Sequence, residues 1–303
     1  MKPFLLTSLL IATLPVFAGG PTGDYVEHFD TLYNSLTVQR RGSVVELRAR
    51  ARGSEALESA VDLDHPLQLQ VAYTRTLFGA LFIQPKPERV LMIGLGGAGF
   101  HRVFAEVFPT ALLQTVELDP KVFELCQTHL GFKPTELTPV TLMDGRMFVK
   151  RDKGKWDWLV LDAFRGGYVP PHLKTEEFYE ECASRLSERG VFVTNLHSGN
   201  RLYASDLKTI QKVFPQVVLF STPDRGNVIA CAVRYRSPSI LREKNWPSAR
   251  ELTTVLHGLV EMEEVRAHRL AMPSREIAKA DVLTDDFAPV EFLDSVKTNN
   301  SGE

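Results

Sequence analysis

Val90-Leu91-Met92-Ile93-Gly94-Leu95-Gly96-Gly97-Ala98-Gly99 constrains this chain more than any other stretch. Four apolar residues suit a buried strand, and the turn behind them carries four glycines within six positions. A parallel strand that ends in such a turn and opens a helix brings backbone N–H groups and a helix N-terminus to one point. Missing Cβ atoms let a ligand approach the main chain there. A nucleoside-bearing cofactor suits that surface, with Gly94, Gly96 and Gly97 as its floor; the bland alternative is a tight turn and nothing more.

From Arg89 onward, strand-like and helix-like segments alternate, which argues for a doubly wound α/β fold with helices on both faces of a parallel sheet. A strand over 90–93 leads to a helix over 98–108 and a second strand over 112–116, which ends in Glu117. An acid 23 positions after Gly94, at a strand's carboxyl end, can accept hydrogen bonds from both hydroxyls of a ribose. Its alternative role is a charged cap for the helix that follows Asp119-Pro120. The next strand, 139–143, ends in Asp144-Gly145-Arg146, where Asp144 can take an adenine amino group or simply form a turn. The run 156–161 ends in Asp162, at the carboxyl end of the strand adjoining the glycine turn. Open α/β sheets place their chemistry there, so Asp162 is the catalytic candidate. Residues 165–173 form a loop that borders a pocket, and His172 on it either faces substrate or is merely exposed. Thr175 caps a helix that stops at Gly190. A strand over 191–195 and a helix over 205–214 follow, and 216–220 and 227–233 close the sheet, one of them antiparallel. A helix is expected over 249–270.

Residues 24–87 read as a small, partly β domain. The runs 35–39 and 43–48 flank Arg40-Arg41-Gly42 as a hairpin, which must lie on another surface or pair with a second subunit, so a homodimer is one expectation. A helix is expected over 66–82, stopped by Pro85 and Pro87. Residues 1–18 carry Lys2, an apolar run over 4–14 and Val16-Phe17-Ala18, which reads as a signal peptide and implies export to the periplasm or beyond; the alternative is an apolar extension on a cytoplasmic protein. The run is shorter than the roughly 20 residues of a membrane span. A formal net charge of −2 gives no footprint for nucleic acid or an anionic membrane. The three cysteines are far apart and the histidines scattered, so neither a disulfide framework nor a metal site is expected. Residues 88–296 then form the catalytic domain.

A glycine turn followed by acids at three successive strand ends differs from the usual nicotinamide-binding pattern and suggests adenosylmethionine. With Phe29-Asp30-Thr31-Leu32-Tyr33-Asn34-Ser35, Val116-Glu117-Leu118-Asp119 and Pro171-His172-Leu173-Lys174-Thr175-Glu176-Glu177-Phe178-Tyr179, the chain resembles the spermidine synthases and their relatives over roughly 29–195. Residues 283–291 look like the ending of a divergent bacterial branch. The resemblance implies a class I methyltransferase-like (Rossmann-like) sheet preceded by a small β-hairpin domain. It also implies transfer of an aminopropyl group from decarboxylated S-adenosylmethionine to an amine, releasing methylthioadenosine and needing no metal. By that carry-over Glu117 holds the ribose, Asp144 with Gly145 the adenine, and Asp162 deprotonates or orients the amine. Tyr73 joins the catalytic set, at the head of Tyr73-Thr74-Arg75 where the family has Tyr-His-Glu. The family also has Asp-Ser-Ser-Asp where this chain has Asp162-Ala163-Phe164-Arg165. Arg75 and Arg165 are therefore expected beside the acceptor, where they would repel a doubly charged diamine and suit an acceptor bearing a carboxylate or phosphate. Two other readings stand: an enzyme using intact S-adenosylmethionine, such as a methyltransferase, and an exported nucleoside-binding protein without catalysis.

Overall fold

The computed structural model describes residues 23–51, 54–164, 169–224, 226–237 and 240–286. The expected signal peptide over 1–18 and Arg165 lie outside the described residues.

The N-terminal unit is a four-stranded antiparallel meander of β1 (Tyr25–Asp30), β2 (Ser35–Arg41), β3 (Val44–Ala51) and β4 (Ser54–Asp62), in that spatial order. The expected hairpin is β2 and β3. The flanking strands escaped the sequence reading because β1 has no fully buried face and β4 is a run of small and charged residues. The apolar side of the meander, Leu36, Val38, Val45, Leu47 and Val61, is covered within the chain by Leu95, Ala98, Val122 and Leu125. Thr31 and Asn34 also donate to the Asp119 carboxylate, at 2.7 and 2.9 Å. The small sheet is thereby seated against the glycine turn and the residues just beyond Glu117.

The expected helix over 66–82 is shorter and tighter. An α-helix, α1, covers only Ala72–Thr76, and a 3-10 stretch follows over Leu77–Phe82. Every residue of that stretch is buried, and at Gly79 a Cβ would lie 3.0 Å from the Phe220 ring, which leaves little room for a wider turn.

The main sheet contains β5 (Arg89–Ile93), β6 (Leu112–Glu117), β7 (Val140–Leu142), β8 (Trp156–Leu161), β9 (Leu186–His197), β10 (Gln216–Ser221), β11 (Asn227–Val233) and β12 (Arg269–Leu270). Their spatial order is β12-β10-β11-β9-β8-β5-β6-β7. The five strands β5 to β9 are parallel, and β11 runs antiparallel to both β9 and β10. Between the strands lie α2 (Gly99–Val107), α3 (Pro120–Thr128), α4 (Gly145–Arg151), α5 (Glu176–Arg185) and α6 (Tyr203–Val213). Alternate residues of the strands feed two cores. Val90, Met92, Trp158 and Val160 pack with Phe78, Phe100 and Phe104, while Leu91, Leu159 and Leu161 pack with Phe178, Phe192 and Phe214. This is the class I methyltransferase-like sheet with two antiparallel strands, β11 and β12, toward one edge.

The expected helix over 249–270 is two helices, α7 (Ala249–Val255) and α8 (Met262–Ala267), followed by β12. His257 and Gly258 separate them with φ of 53° and 73°, left-handed backbone that a helix cannot contain.

Register decides which strand ends meet. Ile93 of β5 lies opposite Val116 of β6 and Leu161 of β8, and Leu161 lies opposite Thr194 of β9. The next residue of each strand, Gly94, Glu117, Asp162 and Asn195, therefore emerges at one edge of the sheet.

Candidate active site

The glycine turn is built by close approach. Gly94 has φ of +103°, and a Cβ there would sit 2.2 Å from the Asp162 carbonyl oxygen. Its N–H donates to Val116 at 2.8 Å, while the Asp162 N–H donates to Ile93 at 2.9 Å. No side chain fits between those strand ends. At Gly97 a Cβ would meet the Ser59 hydroxyl of β4 at 2.3 Å, so the N-terminal sheet closes directly on the turn. The Gly96 carbonyl accepts from the Cys126 thiol at 2.8 Å, and Ala98, with φ of 58°, swings the chain into α2.

Glu117 is buried at the end of β6. Its Oε2 accepts the Leu95 N–H at 2.9 Å and its Oε1 accepts the Asp119 N–H at 2.8 Å. Burial pushes its carboxyl up, and those amides oppose the shift. Each oxygen keeps a second lone pair, so a vicinal diol can dock on a carboxylate already fixed in place. Asp144 caps α4 through a 2.9 Å bond from the Met147 N–H. Its other oxygen lies 2.9 Å from His172 Nε2, and that contact first, then the backbone amides, holds its carboxyl below the usual range. His172 therefore stands beside Asp144. At Gly145 a Cβ would lie 2.4 Å from Ile93 Cγ2, which requires glycine where α4 starts against β5.

Asp162 follows β8. Its Oδ1 accepts from Asn195 Nδ2 at 3.0 Å, and Asn195 Oδ1 accepts from Asn227 Nδ2 at 2.9 Å, which fixes the amide's orientation. The Tyr73 hydroxyl of α1 donates to the Glu58 main-chain carbonyl at 3.4 Å and faces Asp162 as a second neutral group. Burial pushes the Asp162 carboxyl up to about 6 despite those two groups. Beside it stands Glu58 of β4, pushed up to about 7 by burial and by the Asp162 charge. Burial and the same two carboxylates drive the Tyr73 phenol well above its ordinary value. The result is a carboxylate that is ionised just above pH 6, held in one orientation by neutral donors, at the mouth of the glycine turn. Such a group can take a proton from an amine.

Of the sequence candidates, Gly94, Gly96, Gly97, Glu117, Asp144, Gly145, Asp162 and Tyr73 converge on this edge. Arg75 does not join Asp162. Its guanidinium donates to the Leu69 carbonyl at 2.5 Å and lines a shallow groove with Ser221, Glu261, Glu264 and His268. Glu58, Asn195 and Asn227 were missed. Asn195 was findable as the polar end of the apolar run from Val191; Glu58 had no local signal, since its strand was not read as one.

Residues 70–224 match the family model of the spermine/spermidine synthase domain. The polyamine aminopropyltransferase of Vibrio vulnificus is 30% identical over 300 residues, 97% of this chain and 99% of that protein. The polyamine aminopropyltransferase of Chromobacterium violaceum is 33% identical over 219 residues, 72% of this chain and 82% of that one. Among solved structures, a probable spermidine synthase from Corynebacterium glutamicum superposes with a TM-score of 0.67 at 21% identity, covering 88% of this chain and 98% of that one. A spermidine synthase in complex with the transition-state analogue AdoDATO gives 0.65 at 21% identity, covering 84% and 88%. At that identity the structures speak for the fold.

Proposed function

The chain belongs to the spermine/spermidine synthase family, and from that premise we propose that it transfers an aminopropyl group from decarboxylated S-adenosylmethionine to an amine. One observation carries the reading: Asp162 is half-buried, is oriented by Asn195 and Tyr73, and stands where the strand next to the glycine turn ends. In the proposed complex Glu117 receives the ribose hydroxyls, Asp144 the adenine amino group, and the turn at Gly94, Gly96 and Gly97 carries the nucleoside across the sheet edge.

An amine is protonated at neutral pH and cannot attack carbon in that form. Asp162 accepts its proton, and the freed lone pair attacks the carbon beside the sulfonium. The new C–N bond forms as the C–S bond breaks, and sulfur leaves as the neutral thioether of methylthioadenosine. Asn195 and Tyr73 hold the carboxylate in line with the attacking nitrogen, which removes most of the orientational cost. The leaving group is already activated, so the chain has to supply only a base, alignment and a dry pocket.

The test is methylthioadenosine release from the chain beginning at Asp24, with the decarboxylated donor and a panel of amines. Glu117→Ala is expected to weaken methylthioadenosine binding by about tenfold or more, the effect of losing a charged hydrogen-bond acceptor. Release with no amine, or turnover of intact S-adenosylmethionine with a methyl acceptor, would overturn the reading. We further propose export, supported by Lys2 and the apolar run over 4–14. Recovery of the full-length chain only from the cytoplasm, with residues 1–18 still attached, would sink that proposal.

A further inference from the structure

β3 and β4 pair in one register from Val44 opposite Asp62 to Leu47 opposite Ser59, and in another from Arg48 opposite Leu57 to Ala51 opposite Ser54. One residue of β4 has no partner across the ladder, and that residue is Glu58. A bulge of this kind turns the extra side chain away from the pleat and recurs beside active sites. Here it turns a carboxylate toward Asp162. The neighbouring Ser59 packs on Gly97 of the glycine turn, so the bulge lies where nucleoside floor and catalytic carboxylate meet.

Glu58 is also unsatisfied. Its Oε1 is buried and has no hydrogen-bond partner among the described residues, and none of them forms an ion pair with either Glu58 or Asp162. The nearest neutral group, the Tyr73 hydroxyl, donates to the Glu58 main-chain carbonyl at 3.4 Å and faces Asp162, leaving the Glu58 carboxylate without it. A half-buried carboxylate with one buried, empty oxygen beside a second carboxylate is a costly arrangement unless a proton or a cation completes it. Arg75, the cation closest in sequence to Tyr73, is committed to Leu69.

We propose that Glu58 is a specificity-determining residue that binds a primary ammonium group of the substrates, a group that does not react. The proposal rests on the aminopropyl-transfer reading and extends it. Both substrates of that reaction can carry such a group: the donor has a free ammonium at the end of its aminopropyl chain, and a diamine acceptor has a second one. The same carboxylate pair repels a ligand bearing a carboxylate at that place, which intact S-adenosylmethionine does. Glu58 thus favours cationic chains over zwitterionic ones without touching the bond that breaks.

Glu58→Gln keeps the shape and removes the charge. Its binding of methylthioadenosine, which has no ammonium, is expected to stay within twofold of the parent. If the donor's ammonium is the ligand, affinity for decarboxylated S-adenosylmethionine falls about tenfold or more relative to methylthioadenosine, and discrimination against intact S-adenosylmethionine narrows. If the acceptor's ammonium is the ligand, donor affinity holds while KM for 1,4-diaminobutane rises about tenfold and KM for a monoamine does not. Donor affinity and diamine KM both within twofold of the parent would overturn the proposal while leaving the transfer reading intact. A parent chain that releases no methylthioadenosine with any amine would overturn that reading, and this proposal with it. Should Glu58→Gln lose methylthioadenosine as well, Glu58→Asp, which keeps the charge on a shorter arm, carries the same comparison and is expected to retain part of the preference.

Discussion

The two halves of the site are satisfied in opposite ways. On the nucleoside side every acid is already occupied by the protein: Glu117 holds the Leu95 and Asp119 amides, and Asp144 holds Met147 and His172. On the reactive side Asp162 is held only by neutral donors, and Glu58 keeps an oxygen with no described partner. The first half is preorganised for a neutral, polar ligand that adds hydrogen bonds to a finished frame. The second gathers negative charge that a proton or a cationic substrate relieves. Recognition and reactivity are thereby separated across a few residues of sheet edge.

The largest effect that can test this division is at the base. Asp162→Asn keeps the hydrogen-bonding shape but cannot take a proton, so turnover is expected to fall about a thousandfold, within the usual reach of general-base catalysis. Methylthioadenosine affinity should stay within about twofold, since the Glu117 side is untouched. A parallel loss of nucleoside affinity, read by calorimetric titration, would mean that the two halves are one unit.

Gly94→Ala strikes the seam between them. A methyl group 2.2 Å from the Asp162 carbonyl, at φ of +103°, must force β5 and β8 apart. Overpacking and left-handed strain together are expected to cost about 3 kcal/mol of stability, read by denaturant unfolding. Because the displaced atom belongs to Asp162, activity should fall in whatever fraction still folds.

Much of this was legible in the sequence, and the limits are physical. The β5 turn and the acids after β6, β7 and β8 could be read because parallel strands are short apolar runs whose first polar residue marks the carboxyl end. Glu58 could not be read that way: a bulge is a property of two strands, and β4 alone is too polar to announce itself. The 3-10 winding of 77–82 was hidden likewise, because it answers to the Phe220 ring some 140 residues away. Spacing showed that Arg75 lies near Tyr73 but could not show which way it points.

Stability against pH offers a smaller effect that belongs to the reactive half. Burial raises Asp162 to about 6 and Glu58 to about 7, above ordinary carboxylates near 4. Between about pH 4 and 7 the native state therefore holds more protons at these groups than the unfolded chain does, and their contribution to stability falls as pH rises. Below that window both are neutral in either state and the penalty is absent; above it the penalty is complete. Glu117 and Asp206 are raised too, whereas Asp144 and Asp285 are lowered and act the opposite way. The decisive quantity is thus the difference between the parent and Asp162→Asn with Glu58→Gln. The double variant should gain about 4 kcal/mol relative to the parent on going from pH 5 to pH 8. A difference that does not change with pH would show that these carboxyls titrate no higher in the folded protein than in the unfolded chain.

The smallest effect is expected at Arg75, and its smallness is informative. From sequence, a cation two residues after Tyr73 belonged in the acceptor pocket and counted against a diamine. The folded chain instead turns it to the Leu69 carbonyl, toward a groove that holds Glu261 and Glu264. A half-buried charge bonded to Leu69 and facing acids elsewhere contributes little at Asp162. Arg75→Ala is therefore expected to change KM for 1,4-diaminobutane by less than about twofold, with a stability loss of about 1 kcal/mol from the lost hydrogen bond. A KM that drops severalfold would return Arg75 to the acceptor pocket and make the reactive half balanced in charge. A KM that holds leaves the pocket anionic, with the two carboxylates selecting for a cation.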